Sequence, residues 1–230
     1  MLDEAEITSL AFAAPRKIWL QPASATAAAG CCIFLDADLY LDRVEAATIV
    51  NQVRPESGRP ALDCIYLSAP NAIARHQDFV CDDRFTDFLA DEFVPWIEQE
   101  TGPHTSYYLC GLSLSGLAAA YAGLRRSDAF AGAICQSPSA WWNEEWLTAS
   151  LDRWKFPDAR LWLSVGNKET QQGIAHAPSN LFQGTSQLDS CRRLTEALRP
   201  RCAELSYHEF AGGHDPRCWA LDLAEALAWL

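Results

Sequence analysis

The sequence predicts an α/β domain with a mostly parallel central sheet and helices on both faces. Three observations lead there. Short apolar runs alternate with stretches of helical period along the whole chain, which is the pattern of strand–helix–strand units. The 230 residues match one domain, residues 1–230, with a sizeable core and no room for a separate cap domain. Hydrophobic residues make up 49% and charged residues 21%, a globular balance that excludes a disordered or repetitive chain.

The elements follow in order. Residues 17–20 read as an edge strand, and the small residues 22–30 as a turn. Cys31-Cys32-Ile33-Phe34-Leu35 is a continuous apolar run, expected of a strand buried on both faces. Asp42-Arg43-Val44-Glu45 has capping-box spacing and predicts a helix through about residue 53, with turns over 54–60. Residues 62–67 form the next strand, and 69–81 a loop. Phe85, Phe88, Leu89, Phe93, Trp96 and Ile97 recur at helical spacing, with Pro95 expected to kink or end that helix. Strands are predicted at 107–110, 130–135, 161–165 and 205–210, and helices at 117–124, 187–199 and 218–230.

Charge and cysteine usage narrow the function. The formal net charge is −12, so neither nucleic acid nor an anionic membrane is expected as a partner. No apolar run reaches the roughly 20 residues that cross a bilayer. The chain opens on acidic residues with no apolar leader, and no secretion signal is expected. Its nine cysteines form no C-x-x-C pair. They read as reduced, buried thiols in a cytoplasmic protein. No metal-ligand, P-loop or dinucleotide motif occurs, and no cofactor or metal is expected.

In a parallel sheet, ligands meet the carboxyl ends of the strands. Three reactive side chains sit just past strands. Ser113 lies in Gly111-Leu112-Ser113-Leu114-Ser115-Gly116, between a strand and a small-residue helix. That suits a nucleophile on a sharp strand-to-helix turn, although Ser115 stands where the usual pattern has Gly. The alternative is a helix cap. His214, in Gly212-Gly213-His214-Asp215 after the last strand, is the candidate general base. His76 and His176 lie in loops that border the site. Glu169, past the strand at 161–165, is the candidate acid that orients the base, with Asp158 and Asp189 as alternatives. The oxyanion hole is expected from the backbone N–H of Leu114 and of Ala37 or Asp38.

These segments resemble the enterobactin (enterochelin) esterase branch of the esterase family within the α/β-hydrolases. The likeness runs from about residue 17 to the end. It rests on Phe34-Leu35-Asp36-Ala37-Asp38 and on Arg75-His76-Gln77-Asp78 with the Phe85–Trp96 stretch. It also rests on the Ser113 elbow, on Gln136-Ser137-Pro138-Ser139-Ala140-Trp141-Trp142, and on Gly212-Gly213-His214-Asp215 with Cys218-Trp219. The resemblance implies an α/β-hydrolase fold and a serine esterase with Ser113 as nucleophile and His214 as base. The family's G-x-x-E segment matches Gly166 to Glu169. Relatives proper carry an additional N-terminal domain absent from these residues.

The expected partner is a small-molecule ester, of siderophore type or otherwise aromatic or anionic. Trp141 and Trp142 are candidates for an aromatic pocket, with burial in the core as the alternative. Arg75, Lys168 and Arg217 are candidates to counter an anionic substrate. Residues 166–185 lack periodicity and are a candidate lid with Glu169 at its base. An acyltransferase on the same fold and a non-catalytic binding module are the competing classes.

Overall fold

The structure is a computed structural model and describes residues 2–23, 28–56, 61–176 and 179–230. Eight strands form the main sheet: β1 (Asp3–Ile7), β2 (Arg16–Gln21), β3 (Gly30–Leu35), β4 (Leu62–Leu67), β5 (Ser106–Leu112), β6 (Gly132–Gln136), β7 (Arg160–Gly166) and β10 (Glu204–Phe210). Their spatial order is β1-β2-β4-β3-β5-β6-β7-β10. Pairing is antiparallel at β1/β2 and β2/β4 and parallel from β4 to β10.

Alternation within the central strands explains why their sequences are apolar throughout. Cys31, Ile33 and Leu35 of β3 enter one core, and Cys32 and Phe34 enter the other. The first core is filled by α4 (Asp83–Asp87), α5 (Val94–Thr101), α6 (Ser113–Arg125), α7 (Trp142–Ser150) and α8 (Gln187–Leu198). The second lies under α1 (Ala37–Leu39), α2 (Ala46–Glu56) and α9 (Pro216–Trp229). The expected α/β architecture with helices on both faces is therefore the one found.

Several local expectations differ. Residues 17–20 are not an edge strand: β2 is covered by β1, whose exposed acidic residues carried no strand pattern. The helix expected from Asp42 is broken. Tyr40–Val44 form a π-helical turn, Glu45 is left-handed (φ 59°), and α2 starts at Ala46. Burial of Tyr40 and Val44 in the second core outweighs the capping box. The loop at 69–81 contains α3 (Ala72–Asp78), capped by Asn71, whose side chain accepts from the N–H of Ile73 and Ala74. Pro95 does not end its helix. A π-helical segment, Phe88–Phe93, absorbs the break in the hydrogen-bond ladder, and Pro95 sits in the first turn of α5. The 166–185 stretch holds a small hairpin, β8 (Ile174–Ala175) and β9 (Phe182–Gln183). The turn placed at 22–30 and that at 54–60 lie partly outside the described residues.

Candidate active site

Three neighbouring parallel strands each end in a left-handed residue that is not glycine. They are Asp36 after β3 (φ 74°), Ser113 after β5 (φ 54°) and Ser137 after β6 (φ 42°). Such conformations cost roughly 1–3 kcal/mol each and concentrate at functional sites. All three face the carboxyl edge of the sheet.

Ser113 stands on the turn from β5 into α6. The turn is tight enough that a Cβ on Gly111 would fall 2.1 Å from the Ser115 carbonyl oxygen, so only glycine fits. Ser115 is fully buried. Its hydroxyl donates to the Leu112 carbonyl (2.8 Å) and accepts from the Leu112 N–H (3.0 Å). Serine in place of the usual glycine thus ties the turn together. The carbonyl of Ser113 also accepts from the N–H of Ser139 (2.9 Å).

His214 and Glu169 reach this serine from β10 and β7. His214 Nε2 lies 2.9 Å from Ser113 Oγ, and His214 Nδ1 lies 2.6 Å from Glu169 Oε2. The Glu169 side chain is 1% exposed and that of His214 43%. The two loops are laced together through their main chains. The N–H of Lys168 donates to Gly212 O (2.8 Å) and that of Asn167 to Phe210 O (2.9 Å). Gly166 permits this approach, because a Cβ there would sit 2.6 Å from Gly212 O and 2.7 Å from Glu169 Oε1. The glycine in the G-x-x-E spacing is a close-approach residue. Asp158 and Asp189 have no such relation to His214. Asp189 instead accepts from the hydroxyl of Ser186 at the start of α8 (2.7 Å).

Ala37 and Asp38 open α1, and their N–H groups donate no hydrogen bond among the described residues. The same holds for the N–H of Leu114. Arg75 does not line the cavity beside Ser113. Its guanidinium clamps Asp36 through Nε (2.8 Å) and Nη2 (2.5 Å), anchoring the segment that carries Ala37 and Asp38. Beside it on α3, burial and the nearby Arg75 and His176 hold the His76 imidazole below the usual histidine range.

A cavity of about 390 Å3 opens next to Ser113 and His214. Trp141 and Lys168, two of the expected substrate residues, line it. Trp142 does not; it packs edge-on against Trp146 (6.1 Å between centroids) at the margin of the first core. Arg217 faces a separate depression shared with Arg43 and Asp215. His176 lies parallel to Trp141, 5.0 Å between centroids and 4° between planes. More of the wall comes from Ser139, from Gln171, Ile174 and Gln183 of the 166–185 stretch, and from Gln187, which no sequence pattern marked. Gln187 is the organiser: its Oε1 accepts from Trp141 Nε1 and its Nε2 donates to Pro138 O (2.8 Å). Among the described residues, no group of three or more metal-ligating side chains occurs.

The family model described as "Putative esterase" matches residues 44–230. The chain belongs to the putative esterase family. Within reach of this family, the chain is 26% identical over 228 residues to the iron(III) enterobactin esterase of Dickeya dadantii, covering 94% of this chain and 51% of that protein. The enterobactin esterase of Shigella flexneri superposes with a TM-score of 0.82 at 20% identity, covering 99% of this chain and 58% of that one. An IroE-like serine hydrolase of Shewanella oneidensis superposes with a TM-score of 0.78 at 15% identity, over 100% of this chain and 80% of that one. The fold is accordingly that of the α/β-hydrolases. The chain spans about half the length of the curated relative, 51%. Among the described residues, no helix is long and apolar enough to cross a membrane.

Proposed function

We propose that this chain is a serine esterase that hydrolyses carboxylic esters through an acyl-Ser113 intermediate. The observation that carries the reading is the unbroken chain Ser113 Oγ, His214, Glu169, with links of 2.9 and 2.6 Å at the carboxyl ends of β5, β10 and β7. Glu169 accepts from His214 Nδ1–H, which leaves Nε2 as the base facing the serine. His214 takes the Ser113 proton as Oγ attacks the ester carbonyl. The N–H groups of Leu114 and of Ala37 or Asp38 receive the negative oxygen. His214 then gives the proton to the departing alcohol. In the second half water, deprotonated by the same nitrogen, releases the acid and restores Ser113.

The cavity favours an ester with a planar aromatic part. Trp141 and His176 present a stacked aromatic wall, and the Lys168 ammonium has no ion-pair partner among the described residues. About 390 Å3 is at the small end of ligand pockets. The relatives point the same way: the Shigella enzyme was solved with 2,3-dihydroxy-N-benzoyl-glycine. The deciding experiment is hydrolysis of p-nitrophenyl butyrate and benzoate, with fluorophosphonate labelling, by wild type and Ser113→Ala. Turnover and labelling by wild type alone are expected. Labelling that survives in Ser113→Ala overturns the assignment. Product ester formed with an added alcohol would place the chain among acyltransferases.

A further inference from the structure

We infer that Ser137, held by the indole of Trp219, is a positioning residue for the Glu169–His214 pair. The inference rests on the catalytic reading above. The Ser137 hydroxyl is fully buried and lies 2.6 Å from Glu169 Oε1 and 3.0 Å from Trp219 Nε1. An indole N–H only donates. The Ser137 oxygen therefore accepts from Trp219, and its single proton is committed to Glu169. Glu169 Oε1 also receives the Gly166 N–H (2.8 Å), so both of its donors hold one oxygen. Among the described residues, the other oxygen, Oε2, meets His214 Nδ1–H alone. The indole thus sets the direction of the Ser137–Glu169 bond, and the ionised carboxylate, an acceptor at both oxygens, sets that of the His214 bond and so leaves Nε2 to Ser113.

Two further observations support the assignment. Ser137 sits at φ 42°, where glycine rests without strain and serine does not. What serine adds over glycine at that position is its hydroxyl. The same Trp219 ring meets the His214 ring edge-on, 4.7 Å between centroids and 85° between planes. One side chain thus braces both members of the pair, from α9 on one side and through β6 on the other.

Ser137→Gly removes the hydroxyl and relieves the backbone, so the fold is retained while the pair loses its brace. Expected are a fall of roughly 10- to 100-fold in kcat, a KM within about twofold, and a melting temperature within a few degrees of wild type, the relieved backbone offsetting the unpaired indole N–H. Trp219→Phe keeps the ring against His214 but frees the hydroxyl to rotate, and a smaller fall in kcat is expected. The two effects are expected not to multiply: Trp219→Phe changes kcat little once Ser137 is glycine. Fluorophosphonate labelling rates for all four proteins separate the possible failures. No labelling of wild type overturns the catalytic reading and this inference with it. Labelling of wild type with Ser137→Gly reacting at the same rate overturns this inference alone. Fully multiplicative losses also overturn it.

Discussion

Glu169 shows how much a single side chain's partners decide. Ser137 Oγ and the Gly166 N–H both donate to Oε1, while Oε2 faces His214. In Glu169→Gln the amide oxygen keeps the two donors, and the NH2 group then points at His214 Nδ1. The imidazole is forced to accept there and to carry its proton on Nε2, where it cannot serve as base. A loss of roughly 10³- to 10⁴-fold in kcat is expected, with little change in stability, read by steady-state kinetics beside thermal melting. Ser115 illustrates the opposite case at the same scale, a departure from the elbow pattern that bonds both Leu112 backbone groups and strengthens the turn.

At the scale of elements, α9 is pinned to the sheet by one buried carboxylate. Asp222 Oδ2 accepts from Ser164 Oγ of β7 (2.6 Å) and Gln136 Nε2 of β6 (2.7 Å). Gln136 also donates to Trp219 O (2.9 Å) and accepts from Tyr40 Oη (3.1 Å). Burial holds the Asp222 carboxyl above the usual aspartate range, opposed by the hydrogen bonds from Ser164 and Gln136. The folded state thus keeps that proton to higher pH than the unfolded chain. The contribution to stability is full below the ordinary aspartate value near 4 and is lost as pH rises through the raised one. Both donors meet the same oxygen, so Asp222→Asn keeps them and removes the charge. Its urea midpoint is expected to exceed that of wild type increasingly above about pH 4, whereas Asp222→Ala is expected to lose about 1–3 kcal/mol. Equal pH profiles for wild type and Asp222→Asn would contradict this account.

At the scale of the molecule, one eight-stranded sheet joins two cores, and parallel pairing runs without interruption from β4 to β10. Thermal unfolding of the chain is expected as a single transition, with calorimetric and van't Hoff enthalpies in agreement. The 30 acidic residues against 18 basic ones leave a surface that repels itself. Raising NaCl from about 10 to about 300 mM, which shortens the screening length well below 10 Å, is expected to raise the melting temperature by a few degrees. A melting temperature that falls with salt would mean that specific ion pairs, such as Arg126 with Asp91 and Asp128, outweigh the repulsion.

What the amino-acid sequence determined by itself was the alternation of elements and the positions that follow strands. Ser113, Glu169 and His214 were legible because a parallel sheet delivers whatever follows its strands to one edge. The structure brings these three together. Chain breaks decided by burial were not legible: Tyr40 and Val44 overrode the capping box at Asp42, and the π-helical Phe88–Phe93 carried the helix past Pro95. Trp141 and Trp142 are identical in chemistry, yet one lines the cavity and the other packs edge-on against Trp146 at the margin of the first core. Gln187 was silent for a related reason, as were the partners of Ser137 and His176. Each of the three side chains acquires its partners from elements 32 to 82 residues away. Local sequence carries propensity and period, which act over a few residues. Which side chain shares a hydrogen bond with which is set only when distant elements close on one another, and there the tertiary structure decides.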